Sequence, residues 1–305
     1  MQKKYFLFVI ASLLVYYAAD VPWQDKIIML VFPSFRGDIK LPRPAVMGIL
    51  NVTPDSFSDG GRYASVESAL QQAVSMIKQG AAILDIGGES TRPGAQPVGI
   101  DEELSRVIPV IEAIRRESEI PLSIDTSKPV VMQEAVAAGA DMINDVYALR
   151  EEGAVDMVAQ LDVPVCLMHM KGEPRTMQQS PQYEDVVKEV VDFLQGRVAS
   201  CLAAKIKRAQ LMIDPGFGFG KTVEHNLGLV KHLAGLKALG LPVLLGFSRK
   251  STIGAILDKG IEARQSGGVA LATLAVWWGA DVIRTHDVAA TSDVVKICEA
   301  MARVP

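Results

Sequence analysis

A single-domain α/β chain closing into a (β/α)8 TIM barrel is predicted by three features of this 305-residue sequence. From residue 45 onward, short apolar runs alternate with longer stretches of helical period. A glycine-alanine pair recurs where three of those stretches end, and the strand-like runs lead into polar or ionisable residues. Strands that alternate with helices imply a parallel sheet, and eight of them imply a closed barrel rather than an open doubly wound sheet.

The strand runs are Val46–Leu50, Ala82–Ile86, Pro121–Ile124, Met142–Ile143, Pro164–Met168, Leu211–Ile213, Pro242–Gly246 and Val282–Ile283. Between them, Val66, Ala69, Leu70, Ala73, Val74 and Ile77 recur at three and four residues, as do Leu104, Val107, Ile108, Ile111 and Ile114. That spacing draws one apolar stripe along a helix. Gly80-Ala81, Gly139-Ala140 and Gly279-Ala280 each close a helical pattern, where glycine suits a left-handed cap. Five positions after each glycine stands a polar residue: Asp85, Asn144 and Arg284. Cap, strand and polar tip make one unit, and successive units of this kind build a barrel.

Residues 1–28 read as an N-terminal extension and residues 29–305 as the barrel domain. Lys3 and Lys4 precede an uncharged run from Tyr5 to Ala19, which is signal-peptide-like and short for a membrane span of roughly 20 residues. The alternative, that translation naturally begins at Met29, is favoured because the remainder reads as a cytoplasmic enzyme. With 49% apolar residues, 22% charged and a net charge of −4, the chain has no basic excess for nucleic acid, and no membrane partner is expected. Cys166, Cys201 and Cys298 are odd in number and far apart, as buried thiols in a reducing compartment would be.

Active sites of such barrels lie at the carboxyl ends of the strands. In order, those ends bring Asn51, Asp85, Asp125, Asn144 with Asp145, His169, Asp214, Ser248-Arg249-Lys250, and Arg284 with His286. One polar strand end simply begins a loop; eight together point to a site. The segments Asn51 to Gly61 and Gly87 to Ala95 are rich in turn formers yet hold isolated charges and aromatics, as substrate-closing loops do. Asp214 to Lys221 is glycine-rich before a helix, but its glycines fall at the wrong offsets for a Walker phosphate loop, and a tight turn presenting Phe219 is expected instead.

Asn51 to Gly61, Asp85 to Ala95, Asp125-Thr126-Ser127-Lys128-Pro129, Asp214 to Lys221, Ser248-Arg249-Lys250-Ser251 and Arg284-Thr285-His286-Asp287 resemble in order the signature motifs of the dihydropteroate synthase family. Thr252, where the family usually carries a bulkier apolar residue, and Gly268, where serine is common, depart from it. The resemblance implies condensation of 6-hydroxymethyl-7,8-dihydropterin pyrophosphate with 4-aminobenzoate to 7,8-dihydropteroate and pyrophosphate, a transferase reaction of folate biosynthesis that sulfonamides target. It assigns the pterin to Asp125, Asn144, Asp214 and Lys250, the diphosphate to Arg92, Arg284 and His286, and one oxygen for Mg2+ to Asn51. Phe57, Pro93, Phe219, Ser251 and Thr91 would form the aminobenzoate pocket. Lys250, Asp59, Arg92 and Arg284 would act in catalysis, with Asp59 facing a developing pterin cation. A homodimer is the family's usual state, and helical stretches such as Val269 to Trp278 are apolar enough to pair subunits.

Two other readings compete. A methyltetrahydrofolate–corrinoid methyltransferase would share the pterin-facing groups but would not need Ser248-Arg249-Lys250-Ser251 or the two closing loops. A membrane-tethered pterin-binding protein takes its only support from the apolar amino terminus.

Overall fold

The first elements are ones the hydropathy pattern does not signal. β1 (Leu30–Phe32) and β2 (Ile39–Leu41) pair antiparallel, with Leu30 opposite Leu41 and Phe32 opposite Ile39. All four side chains are buried with Ala45, Met47, Ile83, Met142, Cys166, Met212, Leu244 and Val282, so the hairpin seals the amino-terminal end of the barrel. The structure, a computed structural model, describes residues 29–52, 61–90, 95–173 and 176–304. The apolar N-terminal run lies outside the described residues.

Eight parallel strands follow: β3 (Ala45–Asn51), β4 (Ile83–Gly87), β5 (Leu122–Asp125), β6 (Met142–Asp145), β7 (Val165–Met168), β8 (Leu211–Asp214), β9 (Leu244–Gly246) and β10 (Val282–Thr285). Their order is β8-β7-β6-β5-β4-β3-β10-β9, and a parallel bridge from Ile213 to Val243 closes β8 onto β9. The helices between them are α1 (Gly61–Lys78), α2 (Ile100–Glu117), α3 (Pro129–Ala138), α4 (Ala154–Leu161), α5 (Val186–Ala203), α6 (Val223–Lys231), α7 (Leu233–Lys237), α8 (Ser251–Leu257), α9 (Gln265–Trp277) and α10 (Val288–Ala302). Among the described residues no helix is long and apolar enough to cross a membrane.

Local chemistry sets the helix ends. Gly80, Gly139 and Gly279 hold φ of +102°, +129° and +97°, a turn that residues with a Cβ rarely adopt. In α2, Asp101, Glu102 and Glu103 open the helix and Arg115 and Arg116 close it, matching its dipole. Asp185 caps α5 by accepting from Lys188 N, and Thr222 caps α6 by accepting from His225 N.

The strands are buried on both faces. One set of alternate residues, including Val46, Leu84, Ile86, Ile124, Ile143, Leu167, Ile213, Leu245 and Ile283, packs outward against the helices. The other set fills the barrel: Ile83, Met142, Cys166, Met212 and Val282 form an apolar layer. Two residues further along β4, β6, β8 and β10, the strand pleat brings Asp85, Asn144, Asp214 and Arg284 inward one layer higher. The site is therefore stacked directly on the core. All three cysteines are buried free thiols.

Candidate active site at the carboxyl-terminal mouth

The cap–strand–tip unit has a geometric outcome: its three tips meet on one atom. Asp85 Oδ2 accepts from Arg284 Nε at 2.6 Å and from Asn144 Nδ2 at 3.0 Å. Arg284 Nη2 donates to Asp125 Oδ2 at 2.7 Å, so one guanidinium clamps carboxylates from β4 and β5. Burial pushes the Asp125 carboxyl up to about 7, Arg284 pulls it down, and the Asp85 charge adds to the rise. Burial works against the Arg284 cation, but Asp85 and Asp125 outweigh it and tighten its hold on the proton. Across the mouth, Asp214 Oδ1 accepts from Gly216 N at 2.7 Å, and burial raises its carboxyl despite Lys250 nearby.

Lys250 is delivered by a strained turn. Arg249 adopts φ of +61°, unusual for a side chain of its size, and its carbonyl is held by Arg264 Nη1 at 3.0 Å. The chain thus reverses before α8, and Lys250 Nζ donates to the Phe217 carbonyl and sits 4.6 Å from the Phe219 ring centre. Burial lowers the Lys250 ammonium to about 8 while Asp214 pulls the other way. Ser251, the first residue of α8, is exposed beside it.

On the opposite rim a relay crosses from β3 to β10. Asn51 Nδ2 lies 3.4 Å from His286 Nε2, His286 Nδ1 lies 3.0 Å from Ser248 Oγ, and the Ser248 hydroxyl donates to Asp287 at 3.4 Å. That direction places the imidazole proton on Nδ1. The asparagine nitrogen takes the histidine contact, and its oxygen is the atom suited to a hard cation. No group of three or more His, Cys, Asp or Glu able to hold a metal exists among the described residues.

The base of the loop after β4 is fixed to α2. A Cβ at Gly88 would meet Val107 at 2.8 Å, Arg106 Nη1 donates to the Gly88 carbonyl at 2.6 Å, and Lys128 Nζ bridges Glu89 and the buried Glu103. Phe57, Asp59, Thr91, Arg92 and Pro93 lie outside the described residues.

The pterin binding enzyme family matches residues 47–286. The dihydropteroate synthase of Haemophilus influenzae is 52% identical over 264 residues, 87% of this chain and 96% of that protein. The dihydropteroate synthase of Xanthomonas albilineans with 4-aminobenzoic acid superposes with a TM-score of 0.86 at 50% identity, over 91% of this chain and 100% of that one. The same organism's enzyme in complex with 7,8-dihydropteroate gives 0.82 at 48% identity, over 90% and 100%. The chain belongs to the dihydropteroate synthase family.

Some of the groups expected at the strand ends come together in the mouth, and others do not. Asp125, Asn144, Asp214, Lys250 and Arg284 converge, while Asn51 and His286 stand together on the rim. His169, expected among the rim groups, is buried and neutral: burial and then Lys221 depress its imidazole to about 3. Asp145 turns away to accept from Ser127 Oγ, Tyr147 N and Leu149 N. Thr252 is buried. Its hydroxyl accepts from Asn226 Nδ2 at 2.9 Å, and Asn226 Oδ1 accepts from Gly218 N at 2.7 Å, which ties α8 to the β8 loop.

The segment Asp214 to Lys221 is a turn and not an anion cradle. Its amides at Gly216 and Gly218 are taken by Asp214 and Asn226, and its carbonyls face cations. Sequence reasoning gave no role to Asp85 beyond a strand end, nor to Lys221 beyond a failed Walker match. The cap repeat was the signal for Asp85. For Lys221 it was a lysine amid glycines at a strand end.

Proposed function

We propose that the condensation of 6-hydroxymethyl-7,8-dihydropterin pyrophosphate with 4-aminobenzoate runs across this mouth, with the pterin deep and the diphosphate on the Asn51–His286 rim. The reading rests above all on the meeting in the mouth of the buried Asp85, Asp125, Asn144 and Asp214 with the half-buried Lys250 and Arg284. A pterin offers an amino group and a ring N–H on one edge and acceptors elsewhere. A carboxylate suits the paired donors, the Asn144 amide suits a mixed edge, and the Lys250 ammonium reaches a carbonyl or ring nitrogen. The diphosphate meets Arg284, Arg92 and His286, each charge-assisted bond contributing roughly 1.5–3 kcal/mol.

Acid–base chemistry is secondary here. The bond from the pterin methylene carbon to the diphosphate oxygen breaks, the aminobenzoate nitrogen bonds to that carbon, and the amine releases its proton. Holding the amine in line and stabilising the leaving charge carry the rate. Phe219 and Ser251 are assigned to the aminobenzoate together with the motif residues Phe57, Thr91 and Pro93, and Asp59 is assigned the positive charge that develops on the pterin. Asn51 supplies one amide oxygen and among the described residues no carboxylate cluster accompanies it, a donor set that fits a magnesium ion arriving with diphosphate and keeping its waters. Such an ion would add charge neutralisation at the leaving group.

The exposed apolar side chains Ile256 and Leu257 on α8, Leu274 on α9, Trp278 after it, and Ile297 and Met301 on α10 support a homodimer, checkable by light scattering. A cytoplasmic location completes the reading. The deciding assay is pyrophosphate release by protein beginning at Met29. Release that requires both substrates supports the synthase, whereas pterin binding with no release in their presence favours a binding protein. Chelating divalent cations should abolish pyrophosphate-dependent aminobenzoate binding. Unchanged aminobenzoate affinity in metal-free protein lacking pyrophosphate would refute ordered assembly.

A further inference from the structure

Lys221 is 3% exposed, yet none of the assigned roles uses it. An ammonium carries three donors, and here each has its own acceptor: the Gly216 carbonyl at 2.9 Å, the Phe219 carbonyl at 2.9 Å and His169 Nδ1 at 3.0 Å. A buried cation so completely matched is a device for holding its acceptors in place. Two of those acceptors flank Phe217, whose carbonyl receives Lys250. The third sits on the β7 loop, and the backbone passes so close there that a Cβ at Gly216 would lie 1.8 Å from the His169 carbonyl oxygen.

The far side of the same loop is shaped for Lys250. A Cβ at Gly218, where φ is +84°, would stand 2.9 Å from Lys250 Cδ. The remaining carbonyls are tied down as well: Gln178 Nε2 donates to Gly218 O at 2.5 Å and the Tyr183 hydroxyl to Gly220 O at 2.9 Å. Two cations therefore stand back to back across one strip of backbone, Lys221 inside and Lys250 outside.

We propose that Lys221 is a positioning residue: it crimps the loop after β8 from within, so that the Phe217 carbonyl and the Phe219 ring form the socket in which Lys250 meets substrate. The proposal deepens the functional reading and rests on Lys250 and Phe219 touching substrate there. The charged groups around the pair are Asp214, Asp125, Asp85 and Arg284 on the Lys250 side, and Asp214, His169, Lys171 and Arg150 on the Lys221 side. Burial lowers Lys221 to about 7, with Asp214 opposing and Lys250 adding to the fall.

Lys221→Met, which keeps the chain length and removes charge and donors, tests this. The expected result is a fall in kcat/KM for aminobenzoate of about tenfold to a hundredfold, the scale of a small misplacement. With it, the alkaline limb of the pH profile should move down by about 0.5–1 unit, because a loosened socket no longer presents the Phe217 carbonyl to the Lys250 ammonium, and losing that acceptor disfavours the charged form. A folded variant with lowered thermal stability but wild-type KM and an unmoved limb overturns the proposal. Should Lys221→Met not fold, His169→Phe removes one acceptor while keeping the ring edge on Phe193 (4.9 Å). It should show smaller changes in the same directions, and wild-type KM and limb in that variant overturn the proposal equally. Lys250→Ala separates the two levels. If it retains turnover, the reading of Lys250 falls; if it is inactive while Lys221→Met is indistinguishable from wild type, only the role of Lys221 falls.

Discussion

The two ends of the barrel treat the same element in opposite ways. Two of the cap glycines, Gly139 and Gly279, are followed at two residues by a carboxylate on the floor, and all three are followed at five by a group in the mouth. On the floor, Asp281 is held by Arg43 Nε and Lys237 Nζ, both at 2.5 Å, and accepts from Val243 N at 2.7 Å. Asp141 accepts from Arg115 Nη2 at 2.6 Å and from Leu122 N at 2.9 Å. Both carboxylates are matched within the chain. In the mouth, Asp85, Asp125 and Asp214 share Arg284 and Lys250, and the carboxyls of Asp125 and Asp214 rise while the Lys250 ammonium falls. The difference separates stability from binding: the floor is complete without a ligand, and the mouth keeps charges whose best partner is one.

The sharpest way to break this contrast is at Arg284. Arg284→Ala removes two charge-assisted bonds of roughly 1.5–3 kcal/mol each and should cut turnover about a thousandfold or more, with the fold intact by circular dichroism. Near wild-type rates would unseat it. Asp281→Asn should do the reverse, lowering unfolding free energy in urea by about 3 kcal/mol while kcat stays put, because two floor cations lose their counter-charge. Equal damage to rate would erase the distinction.

A pH profile probes the mouth more gently. The Lys250 ammonium titrates near 8, so kcat/KM should decline as pH rises through that value, about tenfold per unit beyond it. Asp214→Asn removes the charge that stabilises the ammonium, and the decline should then begin at lower pH. A limb that stays where it was would assign it to another group. The smallest effect is expected from Thr252→Val, which deprives the buried Asn226 of an acceptor. It should cost about 1 kcal/mol in stability and raise the aminobenzoate KM only a few-fold.

The barrel was legible because its signals are local. All eight apolar runs coincide with strands to within a few residues, and the three cap glycines take the left-handed turn their position requires. The β1–β2 hairpin was not, since three-residue strands are too short to display a period. In the mouth, residue types were readable but partners were not. That Arg284 and Asn144 meet on Asp85 depends on how β10, β3, β4, β5 and β6 are registered around the barrel, which no stretch of sequence states. His169 and Lys221 were misjudged for a related reason: a polar residue at a strand end can face the opening or be swallowed by the next loop, and glycine backbone angles decide which.

The fixed stride from cap glycine to mouth side chain has a consequence for length. Inserting one residue between Gly139 and Asn144, or between Gly279 and Arg284, would exchange inward for outward along the rest of the strand. Ile143 or Ile283 would then point into the opening and a charge or amide would be driven among the helices. These two stretches cannot grow or shrink by a single residue, so an engineer who wishes to lengthen this protein must do so past Asp145 or His286, where the chain has already delivered its chemistry.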